Sequence, residues 1–516
     1  MLSFQRRGHD GGVGIFAIRS KDDGRTWSPP ELLTRLEPGG WGGPVPLLDR
    51  NQEIHLVIPK ARGEGRAPNV DRFIDLHHLR STFGRKTWSK PQRIYEGYCG
   101  SIQGLYQLAE GRIIAPFAHW RPNVPTGPPS GPNVCTAVYS DDDGRTWKPS
   151  EAALTAPCVE GYNGSNYGAC EPCLVQLKDG RTWMLIRSQT GALYESFSPD
   201  GAEWFDATPT RFPSSNSPAF LTRLPDDRIA LFWNNCVMPP RVGGAGVYGG
   251  RDALHAAISS DEGRSWRGFR EVYRDPWRNE TPPRSGDRGT AYPHATATRD
   301  GRILLVAGQG AERRRRWLID PDWLEERTQA ENFENLEAWH VFKGLGPVAR
   351  WWRDRQPGAR LVDHPDKSGQ MALQIRKPDE LPGDGAVWNF PAGREGKLVL
   401  GLRIGPRFGG AQISVTDRFY EPCDDAGEEE APMRLLISPS GRLASSHRLQ
   451  PDRWHELELR WNDIGNCRAL LDGKVIKQFG VSRQHRYGFC YLRLRSTSRA
   501  KDVEGLLLES VRVRVK

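Results

Sequence analysis

One short pattern returns along the first half of this chain and limits what it can fold into. Ser20, Asp22, Gly24, Thr26 and Trp27 recur at the same spacing as Ser140, Asp142, Gly144, Thr146 and Trp147, and again as Ser259, Asp261, Gly263, Ser265 and Trp266. Two weaker copies lie between them: one runs from Ser81 to Thr87 and Trp88, and the other, one residue shorter, from Ser198 through Asp200 to Trp204. The copies start at residues 20, 81, 140, 198 and 259, a period of about 60 residues. Such regularity marks stacked or radial structural repeats.

The chemistry of the pattern is local. Asp bonds backbone amides within a tight turn, Gly takes backbone angles that other residues avoid, and Trp folds back onto the flanking strands. A second element interleaves with it: an apolar run, an Asp-Gly-Arg turn and another apolar run. Asp179-Gly180-Arg181 and Asp300-Gly301-Arg302 carry it, with looser copies turning at Asp49, Glu110 and Asp226. Each reads as the hairpin of two inner strands, and the Asp/Trp pattern then joins two outer strands. Four antiparallel strands per period make one propeller blade. Residues 1–328 are therefore expected to form a six-bladed β-propeller. Phe4 to Ile18 reads as the second and third strands of blade one, which puts its innermost strand upstream of Met1. Residues 329–516 lose the repeat and read as a second all-β domain, a β-sandwich of jelly-roll type. The stretch Trp454 to Trp461 alternates apolar and polar, and Asp472-Gly473 follows as a hairpin turn.

The bulk composition narrows the function classes. The formal net charge is +9, which favours anionic partners, but the basic residues are scattered and the one cluster, Arg313 to Arg316, is short. Nucleic-acid binding is not the expected role. No apolar run approaches the length that spans a bilayer, and no membrane partner is expected. Nine cysteines form no small-domain framework and read as free thiols. Cys170 and Cys173 lack the second pair or the histidines of a zinc site, so neither a metal nor another cofactor is expected. The first residues, Met1 to Arg7, do not form a signal peptide. With blade one lacking a strand, this leaves the compartment open.

The recurring pattern resembles the Asp-box, or BNR repeat, of sialidases (neuraminidases) and related propellers, where it marks the fold and is not catalytic. Specific positions extend the resemblance to the sialidase superfamily. In that family a Glu opens the inner strand of blade four, an Arg ends the next strand, a second Arg precedes the Asp-box strand of blade five, and a Tyr opens blade six. Glu171, Arg187, Arg251 and Tyr292 match in type, order and blade. The resemblance implies Tyr292 as nucleophile, Glu171 as its base, and Arg187 and Arg251 as a clamp for the substrate carboxylate. Chemistry supports the choice. Arg offers carboxylates a bidentate fork. A neutral phenol avoids the repulsion that a carboxylate nucleophile would meet from an acidic sugar, and sialidases with a Tyr nucleophile depart from the usual two-carboxylate pattern.

The family's acid/base Asp would be Asp10, with His9 competing for the role. Its third clamp Arg belongs to the strand absent from blade one, leaving Arg6, Arg7 or Arg288 to complete the clamp. His294, two residues from Tyr292, is expected on the same side of its strand. Further channel candidates are Trp41, Gln103, Asn216 and Gln309. Residues 329–516 resemble the concanavalin or laminin-G sandwich, which serves as a glycan binder or as a buttress. The implied function is an exo-glycoside hydrolase that removes a terminal acidic sugar, such as sialic acid, from glycans. Two alternatives stay open. One is a propeller-type uronic-acid lyase or rhamnosidase acting beside glucuronate, using His9, His294, Tyr292 and Arg251. The other is a non-catalytic glycan-binding propeller.

Overall fold

The Asp-box turns are held by a small set of local hydrogen bonds. At the first, Ser20 Oγ donates to Asp22 Oδ1 (2.8 Å) and accepts from the Gly24 amide (2.7 Å). Asp22 in turn accepts from the Thr26 amide (2.8 Å) and the Thr26 hydroxyl (2.6 Å). Gly24 sits at φ 89°, and Trp27 Nε1 donates to its carbonyl (2.9 Å). The boxes at Ser140 and Ser259 repeat the arrangement. The shortened copy keeps a bond from the Gly201 amide to Ser198 Oγ (2.7 Å). This is a computed structural model describing residues 2–7, 12–63, 73–82, 87–120, 132–158, 168–237, 250–279, 289–310, 312–344, 355–422, 426–444, 447–463, 465–480 and 486–516.

These bonds act on the carboxyl groups. Burial pushes the Asp142 carboxyl up, but hydrogen bonds from Thr146 and Ser140 outweigh it and lower its pKa to about 2. A folded-state pKa below the unfolded value of about 3.9 gives stability that is complete above the unfolded value and lost as pH falls through about 2. Asp142→Asn is therefore expected to lower the Tm at neutral pH, with the gap to wild type narrowing between about pH 4 and pH 2. Melting curves recorded across that range test it, and a gap independent of pH contradicts it.

The all-β chain follows the expected class, a six-bladed propeller followed by a sandwich. Blade one has three strands among the described residues, Leu2–Arg7, Val13–Ile18 and Glu31–Leu36. In blade two, Gly40–Trp41 and Val45–Leu48 both pair with Glu53–Arg62, followed by Phe73–Thr82 and Gln92–Tyr95. Blade three has the same build around Ile113–Trp120 and Asn133–Ser140. Blade four is Cys170–Gln176, Thr182–Arg187, Ala192–Ser198 and Thr208–Pro213. Blade five opens with the hairpin Phe220–Arg223 and Ile229–Trp233. Blade six is His294–Ala297, Ile303–Ala307 and Arg315–Ile319. The ring closes where the blade-six hairpin meets the first Asp-box. Arg25 pairs with Asp300 (2.8 Å), the Arg299 amide donates to Asp23 (3.2 Å), and Arg316 lies over the Trp27 ring (4.9 Å).

The chain forms two compact units. The first is Met1–Trp233, Ala291–Gly308 and Arg314–Asp320; the second is Asn234–Thr290, Gln309–Arg313 and Pro321–Lys516. The second holds the hairpin Ala253–Ser259 and Arg267–Arg274 together with two sheets. One sheet has eight strands, with Gly396–Ile404 and Asp502–Val515 near its middle; the other has five, centred on Phe489–Ser496. Trp339, Trp388, Leu400, Leu457 and Leu494 lie in the core between them, fully buried. The expected alternation runs through His455–Trp461, with Leu457, Leu459 and Trp461 buried and the residues between them partly or fully exposed. The hairpin turn follows at Asp472 and Gly473, both at positive φ (47° and 79°), as a type I′ turn requires.

Buried charge ties the hairpin Ala253–Ser259 to the sandwich within this unit. The Arg355 guanidinium is fully buried, forks onto both carboxylate oxygens of Asp252, and donates to Glu421 (2.8 Å). It also lies 3.7 Å over the Phe342 ring. The eight described cysteines are free thiols. Burial pushes Cys170 and Cys173 up to about 12, so neither is a thiolate at neutral pH.

Candidate active site

Two residues with strained backbone meet in the first unit. The strand Cys170–Gln176 pairs with Thr182–Arg187, with Cys170 opposite Arg187 and Cys173 opposite Leu185. The register slips between those pairs, and the bulge carries Glu171 at φ 44°. Tyr292 sits at φ 62°, two residues before the strand His294–Ala297 begins. A left-handed conformation costs a non-glycine residue about 1–3 kcal/mol and gathers at functional sites. Bulges likewise re-aim side chains beside active sites.

The re-aimed side chains form one chain of contacts. Tyr292 Oη donates to Glu171 Oε1 at 3.2 Å. Glu171 Oε2 accepts from Arg187 Nη1 at 2.5 Å. Arg187 Nε donates to Asn216 Oδ1 at 2.6 Å. Arg187 is fully buried, Glu171 is 6% exposed and Tyr292 is half-buried. Burial opposes the Arg187 charge, but the Glu171 carboxylate and the Tyr292 oxygen outweigh it, and the guanidinium pKa is raised. Arg187 Nη2 is buried and has no hydrogen-bond acceptor among the described residues. A buried donor left unsatisfied costs about 1–3 kcal/mol.

Three of the four residues matched to the family, Glu171, Arg187 and Tyr292, thus lie together. Asn216, a channel candidate with no assigned task, joins them by anchoring the guanidinium from a turn in which residues 214–217 are all buried. Arg251 belongs to the second unit, where it is 2% exposed and its carbonyl accepts from the Thr290 amide (2.9 Å) and hydroxyl (3.0 Å). His9, Asp10 and Arg288 lie outside the described residues. Arg7 ends the strand Leu2–Arg7, and its side chain is likewise outside them. Arg6 rests over the Phe4 and Phe16 rings (5.4 and 5.5 Å).

His294 opens its strand, is exposed, and packs its ring 5.5 Å from Phe220. Its expected side relative to Tyr292 assumed unbroken strand alternation; the left-handed φ at Tyr292 removes that premise. Trp41 is a packing residue, buried with Lys60 over its ring (4.6 Å) and Nε1 on the Glu37 carbonyl (3.0 Å). Gln103 is buried in the first unit and Gln309 in the second.

A propeller with inner strands that bring a phenol, a carboxylate and a guanidinium into contact is a propeller of the sialidase and BNR-repeat superfamily. The chain belongs to the BNR repeat-like domain family, the model of which matches residues 6–305. A sialidase of Micromonospora viridifaciens is 24% identical over 288 residues, which cover 49% of this chain and 40% of that relative. The matched part thus spans two-fifths of the relative's length. Among solved structures, Trypanosoma rangeli sialidase aligns at a TM-score of 0.40 and 13% identity over 98% of this chain and 87% of that one. A protein of unknown function from Dyadobacter fermentans aligns at 0.36 and 18% identity over 54% and 78%.

Proposed function

We propose that this protein is an exo-acting glycoside hydrolase that removes a terminal acidic sugar, with sialic acid as the substrate best matched to the site. The observation that carries this is the hydrogen bond from Tyr292 Oη to Glu171 Oε1. It is the proton path needed to turn a neutral phenol into a nucleophile. By family resemblance, Arg187 is the guanidinium that receives the substrate carboxylate beside Glu171. Tyr292 Oη attacks the anomeric carbon as its proton passes to Glu171, and the aglycone oxygen departs with a proton from an acid, a role that family resemblance gives to Asp10. Water then attacks the tyrosyl glycoside and gives a proton back to that acid, the bond to Oη breaks, and Glu171 returns its own proton to the phenolate oxygen. Two displacements at one carbon retain its configuration. Arg251 is the second guanidinium by resemblance alone. The sialidase name of the Micromonospora relative supports the same substrate class.

A panel of aryl glycosides of sialic acid, glucuronic acid and rhamnose tests the reading. Release of the aryl group from the sialoside is expected, with no new ultraviolet absorbance from an unsaturated uronide. Release from none of them, or an unsaturated product, contradicts it. Arg187→Lys is expected to lower kcat/KM by about a hundredfold or more. A lysine ammonium cannot hold Glu171, Asn216 and a carboxylate in one planar fork. Steady-state kinetics on the sialoside measure this, and an unchanged kcat/KM removes Arg187 from the site.

A further inference from the structure

Strand register in the second unit lines up cations across the outer face of the eight-stranded sheet. Lys397 lies directly opposite Arg514 on one neighbouring strand and Arg460 on the other. Arg460 lies opposite Arg468 on the next strand. The residues beside them in the chain, Leu398, Leu459, Ala469 and Val513, are buried in the core, so pleat alternation sends all four cations outward. Neighbouring strands stand about 4.8 Å apart, and the row crosses about 14 Å of sheet. Like charges directly opposite one another destabilise a sheet. Only Arg460 is neutralised from within, by Glu458. Lys397, Arg468 and Arg514 make no ion pair among the described residues.

We propose that this row binds an extended acidic polysaccharide, with one acidic pyranose over each strand. The row stands on register alone, and the choice of a glycan rests on the proposed function. The spacing of the cations is close to the length of one pyranose in an extended chain, so an acidic chain lying across the strands stays within reach of the row along its length. No aromatic residue stands in the row to stack a base. Anchoring on the glycan chain keeps the protein near its cleavable ends, which raises the effective concentration of substrate without a new catalytic contact.

Affinity electrophoresis of the full chain in gels containing polygalacturonate, which has one carboxylate per pyranose, tests this. Wild type is expected to be retarded at low salt and released as salt rises. The variant Lys397→Ser/Arg468→Ser/Arg514→Ser is expected to lose about tenfold in affinity, as three anion contacts are removed. It should keep its Tm and its turnover of a small aryl sialoside. A control that loses the same charge elsewhere on the sandwich, Arg442→Ser/Arg448→Ser/Arg486→Ser, is expected to bind like wild type. Equal losses in both variants, no retardation of wild type, or tighter binding to duplex DNA or phosphatidylserine vesicles would overturn the proposal. Binding is read without turnover, so failure of the catalytic reading leaves a distinct result.

Discussion

Tyr292→Phe is expected to lower kcat/KM for an aryl sialoside by about a thousandfold or more. Removing one oxygen deletes the attacking atom and the donor of the bond to Glu171. The ring is kept, Tyr292 is half-buried, and the left-handed backbone that holds it does not involve the hydroxyl. The Tm should therefore move by only a degree or two, within the range of a single exposed-site change. Glu171→Gln makes the useful contrast. Loss of a general base costs about 100- to 10,000-fold, but this change also leaves the buried Arg187 guanidinium without its counter-charge. Breaking a buried pair destabilises strongly, so Glu171→Gln should lose both activity and stability. Steady-state kinetics together with thermal melts separate the two signatures. Retained turnover in Tyr292→Phe moves the nucleophile elsewhere.

The largest expected effect on stability lies in the other unit. Arg355→Ala should destabilise it by about 3–5 kcal/mol, the cost of stranding buried charge. Arg355 is the shared partner of Asp252 and Glu421, which are each 6% exposed. Its removal takes the shared guanidinium from two buried carboxylates and opens a void over Phe342. Replacing the whole triad, as Arg355→Met with Asp252→Asn and Glu421→Gln, should recover much of the loss, because a buried ion pair is worth far less than its breakage costs. Urea unfolding of the two variants measures the difference. A small effect of Arg355→Ala alone would mean that water reaches the triad.

Turn chemistry made the propeller legible in the sequence. An Asp, a Gly and a Trp at fixed offsets can satisfy one another within a single turn, as Asp22, Gly24 and Trp27 do, so their period reports the blades directly. The pleat of His455–Trp461 was equally readable, because one face is buried. Three of the residues taken from the family pattern, Glu171, Arg187 and Tyr292, also meet as the blade order implies. The rest depended on information that residue types do not carry. Nothing in the letters around Glu171 and Tyr292 signals a left-handed φ, which takes away the premise of the pleat rule for His294. Asn216 finds Arg187 29 residues away, and Arg355 finds Asp252 103 residues away; neither pairing has a local signal. The repeat ends near residue 328, whereas the compact units divide after Trp233. Side chains of the hairpin Ala253–Ser259 and Arg267–Arg274 reach sandwich partners such as Tyr491, which donates to Glu271 (2.6 Å).

Mass spectrometry of the protein after incubation with 2,3-difluorosialic acid tests the central claim most directly. Fluorine beside the anomeric carbon slows departure of the sugar from the enzyme, so a covalent intermediate accumulates. One added glycosyl mass is expected, mapped by peptide digestion to Tyr292 and absent from Tyr292→Phe. An adduct on a different side chain, or continued hydrolysis of the aryl sialoside with no adduct at any residue, would contradict the account.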